Sequence, residues 1–186
     1  MNVSSRHMEK TLGPIRELRD ISVSPEMNLR LAKFSRGPHQ GSVAYGTLNL
    51  SDHDLFDTDY SRSMRQEAIL LAPSEMNPDY VISVLERTVT NLLKKHLAFP
   101  QGFLTEFSEP ILEDTAMYGF YVAPPVYFDN SFFYFEKDGR TAVVVWLVPV
   151  TQEEIHFIKN KGWEKFERLL AAQDPDLVDF HRKSVA

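Results

Sequence analysis

The alternation of apolar and polar positions divides this chain into short strands and a few helices. Met27, Leu29 and Leu31 alternate with Asn28 and Arg30, the period of a half-buried strand. Gly37, Pro38 and Gly41 mark a chain reversal over 35–41, and Ala44, Gly46, Leu48 and Leu50 line one face of a returning strand. Residues 67–72 read as a third strand. Asn77-Pro78 predicts a helix start, because Asn caps well and proline suits the first helical position. From there Ile82, Leu85, Val89, Leu92 and Leu93 recur at helical spacing. Lys94, Lys95 and His96 sit where the helix dipole favours cations, and Pro100 stops the run. Aromatic, strand-like segments follow at 103–108, 117–123 and 130–137, with Pro124-Pro125 between the second and third.

The stretch 132–151 carries the strongest architectural signal. Asp138-Gly139 tolerates the positive φ angles of a tight hairpin, so 130–137 should pair with 140–149. Residues 142–147 are apolar on both faces, which predicts a central strand covered on both sides. Thr151 and Glu154 form a capping-box pattern, and Val150 can staple to Ile155. The helix 151–160 exits at Asn160-Lys161-Gly162. A last helix presents Trp163, Phe166, Leu169 and Leu170 on one face, with Glu164 spaced to pair with Arg168. Residues 1–13 read as a flexible lead-in and 14–186 as a single domain, without repeat or linker. The fold class is α+β: a mixed, mainly antiparallel sheet with one central helix and a C-terminal helical pair.

Composition narrows the function. The 186 residues are 43% hydrophobic and 12% aromatic, enough for one good-sized core. The net charge of −6 argues against a binder of phosphate backbones and suits a partner with a basic surface. No cysteine is present, which removes disulfides, thiolate metal sites and a Cys nucleophile, and fits a reducing cytoplasm. The longest apolar run, 142–150, falls far short of the ~20 residues of a membrane span. The N-terminus lacks the apolar core of a signal peptide. A cytoplasmic protein with neither membrane nor nucleic acid as partner is expected.

Candidate chemistry is sparse. Asp52, Asp54, Asp57 and Asp59 form the densest acidic cluster. Their spacing fails the EF-hand pattern: counting from Asp54, Phe56 falls on a ligand position, and counting from Asp57, Arg62 replaces the glycine and Ala68 the bidentate Glu. No metal and no other cofactor is predicted. The loop reads either as a solvated edge or as the contact for a basic partner. Ser51, Asp52 and His53 carry the side chains of a hydrolytic triad, but adjacent residues do not converge as a triad must. His7-Met8-Glu9 matches part of a deaminase motif whose cysteines are missing. His39, His96, His156 and His181 stand alone, and the glycines build neither a dinucleotide loop nor a P-loop. Glu106 with Glu109, and Glu113 with Asp114, are possible acid/base carboxylates. Tyr118, Phe120, Tyr121, Tyr127 and Phe128 flank the two prolines and read as core and core rim, or as a binding surface.

The C-terminal part also resembles the signature of the suppressor-of-fused family. Trp146-Leu147-Val148-Pro149-Val150-Thr151, then Glu153, Glu154, Phe157 and Gly162, match its apolar strand, proline, threonine, acidic helix start and glycine exit. Arg182-Lys183-Ser184-Val185 resembles its Arg-x-Ser-Val tail. Upstream, Gly46 to Ser51 looks like a longer form of its Gly-x-Ser strand end, and Glu67-Ala68-Ile69-Leu70 like its Glu-led strand. The resemblance runs from about residue 27 to 185. It implies a suppressor-of-fused-like fold and a protein-binding module with no catalytic residues to carry over. Animal relatives hold a transcription factor through an extended peptide, and bacterial single-domain relatives often look like immunity proteins that neutralise a toxin. The expectation is a protein-interaction module, an immunity protein that occludes a basic toxin surface. Its candidate contacts are Asp52, Asp54, Asp57, Asp59 and Tyr60, with Tyr118 and Tyr121. The rival readings are a carboxylate-dependent hydrolase and a small-ligand or metal sensor.

Overall fold

The computed structural model describes residues 2–58 and 61–186; Asp59 and Tyr60, both among the contact candidates, lie outside the described residues. Its strands are β1 (Ile15–Ser24), β2 (Met27–Phe34), β3 (Ser42–Thr47), β4 (Leu55–Asp57), β5 (Arg62–Pro73), β6 (Leu104–Glu106), β7 (Met117–Ala123), β8 (Tyr134–Lys137) and β9 (Arg140–Thr151). Its helices are α1 (Val3–Leu12), α2 (Pro78–Lys94), α3 (Gln152–Lys161) and α4 (Trp163–Gln173). The sheet runs β1-β2-β3-β5-β9-β7-β6, with β4 added to β5 and β8 added to β9. Only β5 and β9 pair in parallel among the described strands. A parallel pair requires a crossover, and α2 lies in the chain between these two strands. The class is the expected α+β with a mainly antiparallel sheet.

β9 holds the centre, paired to β5, β7 and β8. Asp138 and Gly139 have φ of 52° and 70°, the two positive angles that a two-residue turn needs to match the twist of β8 and β9. The two-faced apolarity of β9 follows from the layers around it. Val145 and Leu147 enter a core beneath α2, with Ile82, Leu85, Val89 and Leu93. Val144, Trp146 and Val148 enter a second core, with Met8 and Leu12 of α1, Ile155 and Ile158 of α3, and Phe166 of α4. β5 divides in the same way, with Leu70 on one side and Ile69 and Leu71 on the other. One helix therefore covers one face of the sheet, and three helices cover the other.

Several local expectations are corrected. Residues 3–12 are not a mobile lead-in but the helix α1, capped by Asn2, whose side chain accepts from the Ser5 amide at 2.8 Å. Met8 and Leu12 are fully buried, and two apolar side chains one turn apart are enough once a sheet face waits to receive them. Residues 15–24 form an edge strand whose alternation is masked by its many charges, with Asp20 ion-paired to Arg30 of β2 at 2.7 Å. The strand expected to reach Leu50 ends at Thr47 and turns at 50–52, so Leu48 and Leu50 enter opposite cores. The β6–β7 pair has no room for a side chain at Gly119, where a Cβ would overlap the Thr105 carbonyl oxygen.

Candidate interaction surfaces

The polar signature residues turn out to be internal. Glu67, at the inner part of β5, is fully buried. One carboxylate oxygen accepts from the Ser51 hydroxyl at 2.6 Å and the Ser51 amide at 3.3 Å. The other accepts from the Thr47 hydroxyl and from the Leu50 amide at 3.1 Å. These bonds draw residues 47–51 out of the strand and into the turn. Burial pushes the Glu67 carboxyl up, and the hydroxyl bonds from Ser51 and Thr47 oppose that shift. Ser51 also accepts from the buried ammonium of Lys137 at 3.0 Å, and Lys137 is paired with Asp52. The adjacent Ser51, Asp52 and His53 do not assemble a triad: Ser51 faces Glu67 and Lys137, while the buried His53 Nε2 has no hydrogen-bond partner among the described residues.

The tail motif is a second internal knot. Arg182 forks onto Glu154 of α3 at 2.7 and 2.8 Å. Its terminal nitrogens also donate to the carbonyls of Lys183 and Pro149. Glu154 closes the capping box by accepting from the Thr151 amide at 3.0 Å, and it takes the Val185 amide at 3.0 Å. The family-like residues thus hold the chain together and offer no open chemistry.

The described aspartates of the acidic loop, Asp52, Asp54 and Asp57, are paired within the fold. Asp54 pairs with Arg140 at 2.8 Å and with Arg65 at 3.6 Å. Asp57 is buried, with Arg62 at 3.5 Å. The sequence shows the acids but not the cations of β5 and β9 that the sheet brings beside them. Among the described residues no group of three or more His, Asp or Glu is gathered as metal ligands. No described helix is long and apolar enough to cross a membrane.

Of the aromatic candidates, Tyr118 is half-buried and Tyr121 is fully buried. The Tyr121 hydroxyl donates to Glu167 of α4 at 2.6 Å. Burial and that carboxylate push the phenol far up, so it remains a donor. Beside it opens a cavity of about 390 Å³ between β7, β9, α4 and residues 174–177, walled by Trp146, Tyr127, Val148 and Leu170. Val126 and Tyr127 are exposed near it, at 60% and 36%. A larger cleft of about 770 Å³ runs along α2, walled by Met76, Val84, Ile111 and Leu112. Glu75, Glu113, Asp114 and Asp179 stand around it, with Arg87 and His181. Both openings combine apolar walls with acidic rims. Neither could be read from the sequence, because each joins segments far apart in the chain.

This sheet order, with one helix on one face and α1 and the C-terminal helical pair on the other, defines an α+β fold of suppressor-of-fused type. The chain belongs to the suppressor of fused family: the family profile "Suppressor of fused protein (SUFU)" matches residues 26–183. It is similar to the immunity protein YqcF of Bacillus subtilis (strain 168), at 22% identity over 161 residues, 85% of this chain and 82% of that one. Its structure is similar to a suppressor of fused homologue from Neisseria gonorrhoeae, with a TM-score of 0.73 and 16% identity over 97% of this chain and 93% of that one. The Sufu–Fu complex structure matches with a TM-score of 0.66 and 11% identity, covering 97% of this chain and 89% of that one. Drosophila Suppressor of Fused matches at a TM-score of 0.59 and 11% identity, and there the match spans 88% of this chain but 44% of the larger protein.

Proposed function

We propose that the protein is a non-catalytic protein-binding module that neutralises a toxin by covering its working surface. The observation that carries this reading is the division of labour among its polar groups. Glu67, Ser51, Lys137, Glu154 and Arg182 are buried and engaged with one another or with backbone. The surface meanwhile presents two apolar-walled openings with carboxylates around them. Such openings suit aromatic or aliphatic anchors of a partner, and the acidic rims suit a partner with a basic face. The likeness to an immunity protein supports the same reading. Charge complementarity would speed encounter, and burial of the anchors would slow release.

The test is co-expression with the protein encoded by the neighbouring gene, scoring growth and co-elution in size-exclusion chromatography. Rescue of growth with a stable complex is the expected result. Rescue without a complex, accompanied by chemical change of the toxin, would make the protein an enzyme and overturn the proposal. The absence of both rescue and a complex would overturn the immunity reading.

A further inference from the structure

We infer that the cavity beside Tyr121 is an anchor site for an arginine side chain of the partner protein. The inference rests on the protein-binding reading above and names one site for it. Four observations lead to it.

The first is shape. The cavity has a volume of about 390 Å³ and apolar walls from Val126, Val148, Leu170 and Leu177, long enough to take an aliphatic stem. The second is its aromatic wall. Tyr127 packs on the buried Trp146 with ring centroids 4.9 Å apart at 49°, and being 36% exposed it offers a ring on which a planar cation can stack.

The third is charge. Glu167 lines the cavity and is half-buried. One of its oxygens accepts from Tyr121 at 2.6 Å and from Gln101 at 3.0 Å, both neutral donors. No ion pair to Glu167 is found among the described residues, in contrast with Asp52, Asp54 and Asp57. Its other oxygen is left for an incoming donor, and Asp174 adds a second carboxylate to the lining. A partly desolvated carboxylate held in place by two hydrogen bonds favours a guanidinium, which is weakly hydrated and donates in a fixed fork.

The fourth is the outer wall. The exposed Val126 and Tyr127 extend the apolar lining outward, where residues flanking that arginine would lie. This favours a peptide-borne arginine over a free organic cation. Trp146 is fully buried behind this wall, and its Nε1–H has no acceptor among the described residues.

The test is a titration followed by nuclear magnetic resonance on the Trp146 indole N–H signal. The chain has two Trp, and a Trp163→Phe variant assigns the signals. The probes are acetyl-Leu-Arg-Leu-amide, its citrulline counterpart (isosteric but uncharged) and butylguanidinium. The arginine peptide should shift the Trp146 signal saturably. Replacing arginine by citrulline, or Glu167 by Gln, should each weaken binding by about tenfold through loss of a charged hydrogen bond. Butylguanidinium should bind more weakly than the peptide. Absence of a saturable shift, equal binding of the citrulline peptide, or indifference to Glu167→Gln would overturn the inference. So would butylguanidinium binding as tightly as the peptide, which would make this a small-cation site. If Glu167→Gln does not fold, the arginine–citrulline comparison on the unaltered protein decides alone. The titration contains no toxin, so its failure is separate from failure of the co-expression test.

Discussion

Arg182 sets its two terminal nitrogens on the two carboxylate oxygens of Glu154, 2.7 and 2.8 Å away, with both side chains almost wholly out of solvent. This pair ties the last residues of the chain to the start of α3 and to the end of β9. Removing only the cation would leave a buried carboxylate without its counter-charge. Arg182→Met should therefore cost ~3–5 kcal/mol. Adding Glu154→Gln should recover part of that loss, because the orphaned charge disappears while the amide oxygen can still accept from the backbone. Urea denaturation of the single and double variants checks the order; equal losses in both would mean that the pair is not the source.

Thr151 is the cap of the same helix, its hydroxyl accepting from the Glu154 amide at 3.2 Å. Thr151→Ala should cost ~1 kcal/mol and lower the urea midpoint without altering the slope.

Glu67 should make stability depend on pH. Burial holds its carboxyl above the ordinary value of 4.5 in the folded protein. A carboxyl raised on folding binds its proton more tightly in the folded state. Its contribution is therefore fully present below pH 4.5 and is lost as pH rises through the folded-state value. Stability measured from pH 4.5 upward should carry this falling component, and Glu67→Gln should remove it. The amide cannot accept all the bonds that the carboxylate does, so the variant should also be ~1–3 kcal/mol less stable at neutral pH. An unchanged pH slope would refute the assignment.

Two glycines should respond differently to alanine. At Gly119 the added methyl meets the backbone of β6, which cannot move without breaking strand pairing. A cost of about 3 kcal/mol or more is expected. At Gly139 there is open space, and only the φ of 70° opposes a side chain. There the cost should be about 1–2 kcal/mol. Thermal melts of the two variants give the comparison.

Asp52 and Asp54 should also separate. Asp52 faces the buried Lys137, whose ammonium has few other partners, so Asp52→Asn should cost ~1–3 kcal/mol. Asp54 pairs with the exposed Arg140, and Asp54→Asn should cost ~1 kcal/mol or less. Denaturation at low and high salt checks both, because only the exposed pair should be screened appreciably.

The central architecture was legible because its signals are local. The Asp138-Gly139 turn, the two-faced run of β9, the capping box at Thr151 and Glu154, and the stripe of α2 each need only neighbouring residues. Glu67 and Arg182 were legible as family-like letters. Their partners were not, because Ser51 and Glu154 lie 16 and 28 residues away in the chain.

The chain alone determined the central elements α2, β9 and α3, since backbone preference and apolar periodicity act over a few residues, but α1 and β1 emerged only with the sheet they pack on. The tertiary structure decided which charges are free. The acidic loop looks like an open negative patch in sequence, yet β5 and β9 bring Arg65, Lys137 and Arg140 against it. Glu167 looks like any helical surface carboxylate, yet it meets neutral donors and an aromatic wall. The physical reason is that electrostatic neighbours are set by distance through space. Strand pairing and helix docking fix that distance, and no short window of sequence contains it.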